Sequence, residues 1–208
     1  RTILIYPVAG VLLIGLIMLL INPFVSAINT GLNNFLSSMS EVNKVILGAI
    51  LAGMMSVDLG GPVNKAAYTF GTGMLAEGHY EIMAAVMIGG MVAPLAIALL
   101  ATFFPKKLPK KERQAGLLNY VMGLSFISEG AIPFASADPI RVLPACIVGS
   151  AVSGALSMAF NCTLMAPHGG IFVLPLIGNW FWYVVALAIG SVIAMGIMAA
   201  LKKNVWEK

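Results

Sequence analysis

The sequence predicts an all-α integral membrane protein with several spans, two re-entrant hairpins and an interfacial amphipathic helix. Three observations predict it. The 208 residues are 60% hydrophobic and only 10% charged, which is too apolar for a soluble domain of this length. Uninterrupted apolar runs reach the roughly 20 residues that a helix needs to cross about 30 Å of hydrocarbon. Between them lie shorter apolar runs, broken by glycine, proline and charged residues.

Taken in order, residues 3–21 form the first expected span. Arg1 stands where an initiator methionine would, with no signal-peptide layout, so the chain is expected to begin partway through a longer protein. Over 24–40, Phe24, Ile28, Leu32, Phe35, Leu36 and Met39 recur at three- and four-residue steps, opposite Asn29, Asn33, Asn34, Ser37 and Ser38. That pattern predicts a helix lying in the membrane interface.

Residues 45–79 hold two apolar runs too short to cross, joined by Asp58-Leu59-Gly60-Gly61-Pro62-Val63-Asn64-Lys65, and are read as a re-entrant hairpin. A second span covers 82–104. The loop 105–114 carries Lys106, Lys107, Lys110, Lys111 and Arg113, and the positive-inside rule places it and the Lys-rich C-terminus in the cytoplasm. Flanked by spans, this basic run is topological and not a nucleic-acid patch, so the net charge of +4 says little about partners. Residues 115–138 repeat the hairpin logic around Ser128-Glu129-Gly130. Spans follow at 142–160 and 181–201, separated by a 161–180 loop with His168. Parity of crossings brings the two hairpins in from opposite faces.

Each hairpin tip needs glycine for unusual backbone angles, proline to end a helix, and polar groups to satisfy freed backbone. Non-helical backbone at membrane depth persists only where it is buried in protein or lines a watery cavity, as in the broken helices of transporters. Two such tips can therefore meet at one solute site. An ionisable group there is expensive and points to function, which singles out Glu129. The other readings of Glu129 are a cap on backbone amides or a partner for Arg141. His168, beside two glycines, offers an imidazole that donates or accepts; its plainer reading is a buried histidine bonded to backbone carbonyls. Asp58, Asn64 and Lys65 share the first tip and can bind hydroxyls, although an Asp58–Lys65 pair is as ordinary an outcome. Asp138 and Arg141 flank Pro139 as a local ion pair, with the alternative that Arg141 meets a phosphoryl group. His79 is read as an outer loop residue.

Tyr68, Phe70, Phe126, Phe134 and Phe172 can lay a ring against the apolar face of a ligand, although packing or interface anchoring is the commoner role and they are left out of the site, and Trp180, Trp182 and Trp206 are read as interface anchors. Cys146 and Cys162 have neither disulfide nor metal-ligand spacing, so no metal or cofactor is expected. Two further classes compete on the residues: a proton-coupled secondary transporter using Asp58 and Glu129, and, more weakly, an intramembrane hydrolase, for which the sequence has neither a Gly-x-Ser-x-Gly elbow nor a metal-spaced His/Glu motif.

Three strings carry a family resemblance: Asp58-Leu59-Gly60-Gly61-Pro62-Val63-Asn64-Lys65-Ala66-Ala67-Tyr68, Phe126-Ile127-Ser128-Glu129-Gly130-Ala131-Ile132-Pro133-Phe134 and Met165-Ala166-Pro167-His168-Gly169-Gly170. With them the chain resembles the fructose-specific enzyme IIC permeases of the bacterial phosphotransferase system, from about Tyr6 to about Ala200 and over the later part of that membrane domain. The resemblance implies a plasma-membrane permease that binds fructose or a close hexose and presents it to a phosphocysteine on a IIB partner, itself served by IIA. It also implies a homodimer. Glu129 would be the sugar ligand and, being more basic when buried, a general base; His168 would assist as ligand and base.

Overall fold

The computed structural model describes residues 5–37 and 41–204. The chain divides into two units, Arg1–Ser40 and Glu41–Lys208. The first is a helix, α1 (Ile5–Ser37), that continues through Pro23. A proline removes one backbone donor, yet helix can persist on both sides of it. The chain is thus helical across the boundary expected between the first span and the interfacial segment. The side chains of residues 24–29 and 31–40 lie outside the described residues, and with them the expected apolar and polar faces.

The second unit contains α2 (Glu41–Met55), α3 (Pro62–Ala76), α4 (Tyr80–Phe103), α5 (Lys110–Leu124), α6 (Ile132–Ala137), α7 (Pro139–Ala159) and α8 (Trp180–Leu201). Among the described residues α4, α7 and α8 are long and apolar enough to cross a membrane. At 1.5 Å per residue they reach about 31–36 Å, whereas α2, α3 and α5 reach only about 22 Å each. Half-length helices agree with the short apolar runs read at 45–79 and 115–138, but α5 already starts at Lys110, inside the stretch read as the 105–114 loop, because a polar first turn of Lys110, Lys111, Glu112 and Arg113 adds no apolar signal.

Helix α4 is the axis of this unit. Every residue from Ile82 to Ala98 is buried, and α2, α3, α5, α7 and α8 all pack on it. Its sequence is apolar on all sides because it has no solvent face to serve. Between apolar helices in lipid there is little hydrophobic drive to associate, so close packing and interhelical hydrogen bonds must hold them. Both are present. A methyl group on Gly89 would lie 2.5 Å from Ala52 Cα, one on Gly154 would overlap the Gly48 carbonyl, and one on Gly149 would lie 2.5 Å from the Gly190 carbonyl. Ser150 Oγ donates to the Gly89 carbonyl at 2.9 Å and lies 2.7 Å from Ser56 Oγ, while Ser153 Oγ donates to the Ala186 carbonyl at 2.9 Å.

The two ends of the unit can be told apart. Lys44 near the start of α2, Glu81 at the start of α4, Met158 near the end of α7, and Asn161 share one pocket. At the opposite end Lys107 Nζ donates to the Lys202 carbonyl at 2.6 Å, and Lys202 Nζ to Asp138 Oδ2 at 3.0 Å. The helix–turn–helix α2–α3 therefore has both feet at the first end. The chain from α5 to α6 has both feet at the second.

Between α7 and α8 the His168 loop is more ordered than a bare connection. Its arms pair as two short antiparallel strands, β1 (Thr163–Leu164) and β2 (Ile177–Gly178), enclosing a 3-10 turn at Gly170–Leu176. Asn179, in a left-handed conformation at φ 56°, closes the base by donating from Nδ2 to the Phe160 and Asn161 carbonyls, each at 3.0 Å. Trp180 and Trp182 are exposed at the start of α8. Trp206 lies outside the described residues.

Candidate functional site

The turn between α2 and α3 is built around Asp58. Pro62 opens α3 and supplies no N–H, and the Asp58 carboxylate takes up the next two donors, Val63 N at 2.7 Å and Asn64 N at 2.9 Å. Leu59 and Gly60 turn the chain with φ of 50° and 113°. In the facing turn Phe126 takes φ 62°, Ile127 N donates back to the Met122 carbonyl at 2.8 Å, and Ser128–Ala131 form a 3-10 turn ahead of α6.

These two turns touch. Gly60 lies so close to Glu129 that a methyl group there would come within 2.8 Å of Glu129 Oε1. Lys65 Nζ lies 3.6 Å from the same oxygen. The buried Asn64 amide donates to the Met55 carbonyl at 2.7 Å and reaches Ser128 Oγ at 3.4 Å, tying one turn to the other. Both meet α4 halfway along its length: a methyl group on Gly90 would lie 2.5 Å from Phe126 Cε2 and 3.1 Å from Met55 Cε.

The His168 loop forms the third wall. Gly170, at φ 58°, lies against the backbone of Leu124 and Phe126, where a methyl group would overlap the Leu124 carbonyl. Docked this way, the His168 ring stands edge-on to Phe126 with centroids 5.1 Å apart, and the Tyr68 ring lies tilted to Phe126 at 6.1 Å. Together Asn64, Lys65, Tyr68, Phe126, Glu129 and His168 line a pocket of about 160 Å³.

Four of the five sequence-selected residues thus converge. Asp58 does not line this pocket; it braces the turn that presents Asn64 and Lys65, and Lys65 pairs with Glu129 instead of Asp58. His79 pairs with Glu81 at 3.7 Å, away from the pocket. Arg141 pairs with Asp138 at 3.2 Å, with Lys202 as a second cation. Burial pushes the Asp138 carboxyl up, but the hydrogen bonds and charges of Lys202 and Arg141 outweigh it and hold the group below its ordinary value of 3.8. Of the aromatics for which packing is the commoner role, Tyr68 and Phe126 form pocket walls. Tyr68 had a signal, since it follows Asn64 and Lys65 by four and three residues and so shares their helix face.

Chemically the pocket offers a carboxylate, an ammonium and an imidazole beside aromatic surface. A carboxylate accepts from two hydroxyls, an ammonium donates three hydrogen bonds, and rings pack on C–H faces. Opposite charges at 3.6 Å make Lys65 and Glu129 neutral as a pair, which suits an uncharged polyhydroxylated ligand.

Residues 2–149 match the family described as "Phosphotransferase system, EIIC". The chain is 47% identical over 209 residues to the "PTS system fructose-specific EIIABC component" of Bacillus subtilis, covering all of this chain and 33% of that protein. It is 47% identical over 209 residues to the "Fructose permease IIC component" of Bacillus amyloliquefaciens, covering all of this chain and 68% of the relative. With the "PTS system fructose-specific EIIB'BC component" of Vibrio cholerae the identity is 51% over 213 residues, all of this chain and 37% of the relative. The chain therefore spans about a third of the multidomain relatives and about two thirds of the separate IIC component. No solved structure matches the chain.

Proposed function

This chain belongs to the phosphotransferase system EIIC family, and from that premise we propose that it is the sugar-binding part of a membrane permease that carries fructose, or a close hexose, to a phosphoryl-donating partner. One observation carries the reading: two helical turns with feet at opposite ends of the unit meet at mid-length of α4, where Glu129, Lys65, Asn64 and His168 surround one pocket. In a bilayer these are two re-entrant hairpins, and their tips lie where irregular backbone must line a protein cavity.

The end bearing Lys106, Lys107, Lys110, Lys111 and Arg113 faces the cytoplasm by the positive-inside rule. Sugar then enters from the end marked by Lys44 and Glu81 and leaves toward the basic end. Glu129 accepts from two sugar hydroxyls, Lys65 and the imidazole of His168 fix others, and Asp58 holds the first tip in shape. Relatives named EIIB'BC and EIIABC join this part to further components of the system, which supports a IIB-type partner as the donor. In the transfer the donor's S–P bond breaks, an O–P bond forms on the sugar, and the hydroxyl proton passes to the Glu129 carboxylate or to His168. Cys162 is poorly suited to carry the phosphoryl group, since burial pushes its thiol up to about 11.

The test is sugar phosphorylation by vesicles carrying the full-length protein, supplied with phosphoenolpyruvate and the soluble phosphocarriers. Fructose phosphate from the native protein and almost none from Glu129→Gln is the expected result. Gradient-driven uptake of free sugar with no phosphorylated product would overturn the reading in favour of a proton-coupled transporter.

A further inference from the structure

The buried face of α5 consists of Gly116, Asn119 and Gly123, at the three- and four-residue steps of one helix stripe. The two glycines let α5 approach α4 closely, with a methyl group on Gly123 meeting Leu95 Cγ at 2.7 Å. Asn119 does something else. It is 1% exposed, and its Oδ1 has no hydrogen-bond partner among the described residues. A buried acceptor left idle is rare in folded proteins and costly, so its position calls for a reason.

That position is behind the carboxylate tip. Asn119 Oδ1 lies against Gly130, the residue after Glu129, so closely that a methyl group on Gly130 would overlap it. Beside this idle acceptor is an under-used donor. Gly130 N reaches the Ile127 carbonyl at 3.4 Å, well beyond the 2.9–3.0 Å at which such bonds are usually made. The acceptor stands on the Cβ side of Gly130, so the N–H meets it only when the Ser128–Ala131 turn rotates and gives up its long bond to Ile127.

We infer that Asn119 is a positioning residue for Glu129: its amide oxygen accepts the Gly130 N–H when the tip closes on sugar, fixing the direction of the neighbouring carboxylate. This rests on the sugar-permease reading above. It assigns part of the recognition to a side chain that never touches the ligand. It also explains an amide on a face where glycine and apolar residues suffice for packing.

The test uses the full-length protein with Asn119→Leu, which keeps the volume and removes the acceptor, and Asn119→Asp, which keeps an acceptor oxygen in the same place. Unfolding temperature without sugar and the kinetics of fructose phosphorylation are measured for each. For Asn119→Leu the expected result is an unfolding temperature equal to or above native, with kcat/KM lowered tenfold or more and the fructose-induced rise in unfolding temperature diminished. Asn119→Asp is expected to recover kcat/KM to within about threefold of native. Native kinetics in Asn119→Leu would overturn the inference, as would equal losses of activity and unfolding temperature in both variants. If the native protein makes no fructose phosphate, the permease reading fails and this inference with it; an active native protein with an unaffected Asn119→Leu variant removes the inference alone.

Discussion

Lys202 Nζ lies 3.0 Å from Asp138 Oδ2, a contact across 64 residues that joins the end of α8 to the residue just before α7. Lys202 is also held through its carbonyl by Lys107, so the basic loop, the foot of α6 and the end of α8 form one chain of charge-assisted bonds. The Asp138 carboxyl titrates below its ordinary 3.8, so its contribution to stability is complete above that value and is lost as pH falls through the lower folded value. The unfolding temperature of the native protein should therefore drop across that acid window. Asp138→Asn should lack this component of the drop and be less stable at neutral pH. Parallel curves for the two proteins would show that the contact does not stabilise the fold.

Asp58→Ala should destabilise the protein by about 0.5–2 kcal/mol, the usual effect of removing a helix-capping carboxylate. Asp58→Asn should lose less and keep fructose phosphorylation, because the carboxylate serves Val63 N and Asn64 N rather than the pocket. Complete loss of phosphorylation in a folded Asp58→Asn protein would contradict that assignment.

For Lys65→Met the expectation separates stability from activity. The Lys65 and Glu129 side chains are 60% and 46% exposed, so their pairing contributes no more than about 1 kcal/mol after solvent screening. The unfolding temperature should barely move, while the KM for fructose rises because Glu129 loses its neighbouring cation and the sugar loses a donor. An unchanged KM would remove Lys65 from the site.

Gly60 and Gly78 make a controlled pair, with φ of 113° and 87°. Alanine at either position meets backbone strain on the order of 1–3 kcal/mol. Only at Gly60 does the new methyl group also meet Glu129, at 2.8 Å, for nothing lies within 4 Å of it at Gly78. Gly78→Ala should therefore lower stability and spare kcat/KM, and Gly60→Ala should lower both. Equal kcat/KM in the two variants would mean that the contact between the turns does not set the site.

Replacing Cys146 and Cys162 by serine together should leave phosphorylation within about twofold of native, and Cys162 should resist alkylation at neutral pH, where a thiol raised to about 11 holds little thiolate. Loss of phosphoryl transfer in the folded double variant would place a covalent step on this chain.

Hydropathy located the long helices closely: runs read at 82–104, 142–160 and 181–201 are helices at Tyr80–Phe103, Pro139–Ala159 and Trp180–Leu201. The largest offset is at α7, whose first turn is Pro139-Ile140-Arg141 after Asp138. A polar residue and a proline depress hydropathy while serving well as a helix start. Glu129, His168, Asn64 and Lys65 were legible because polar groups inside apolar runs are few. Their mutual geometry was not. Lys65 chose Glu129 over Asp58, Asp138 gained Lys202, and Phe126 became a pocket wall through contacts between distant segments, which no local periodicity encodes. The order in the His168 loop was also hidden, since two-residue strands leave no detectable alternation.

Where α2 meets α7 at Gly48 and Gly154, and α7 meets α8 at Gly149 and Gly190, backbone rests on backbone. Few side chains stand in such a seam, Met158 beside Gly48 and Ser153 beside Gly190 among them. Interlocked side chains can repack a little at a time and let helices slide; bare peptide planes either keep their spacing or part altogether. On the transport reading proposed above, contacts this close leave the compliance that a moving solute demands to the glycine-bearing turns around Glu129.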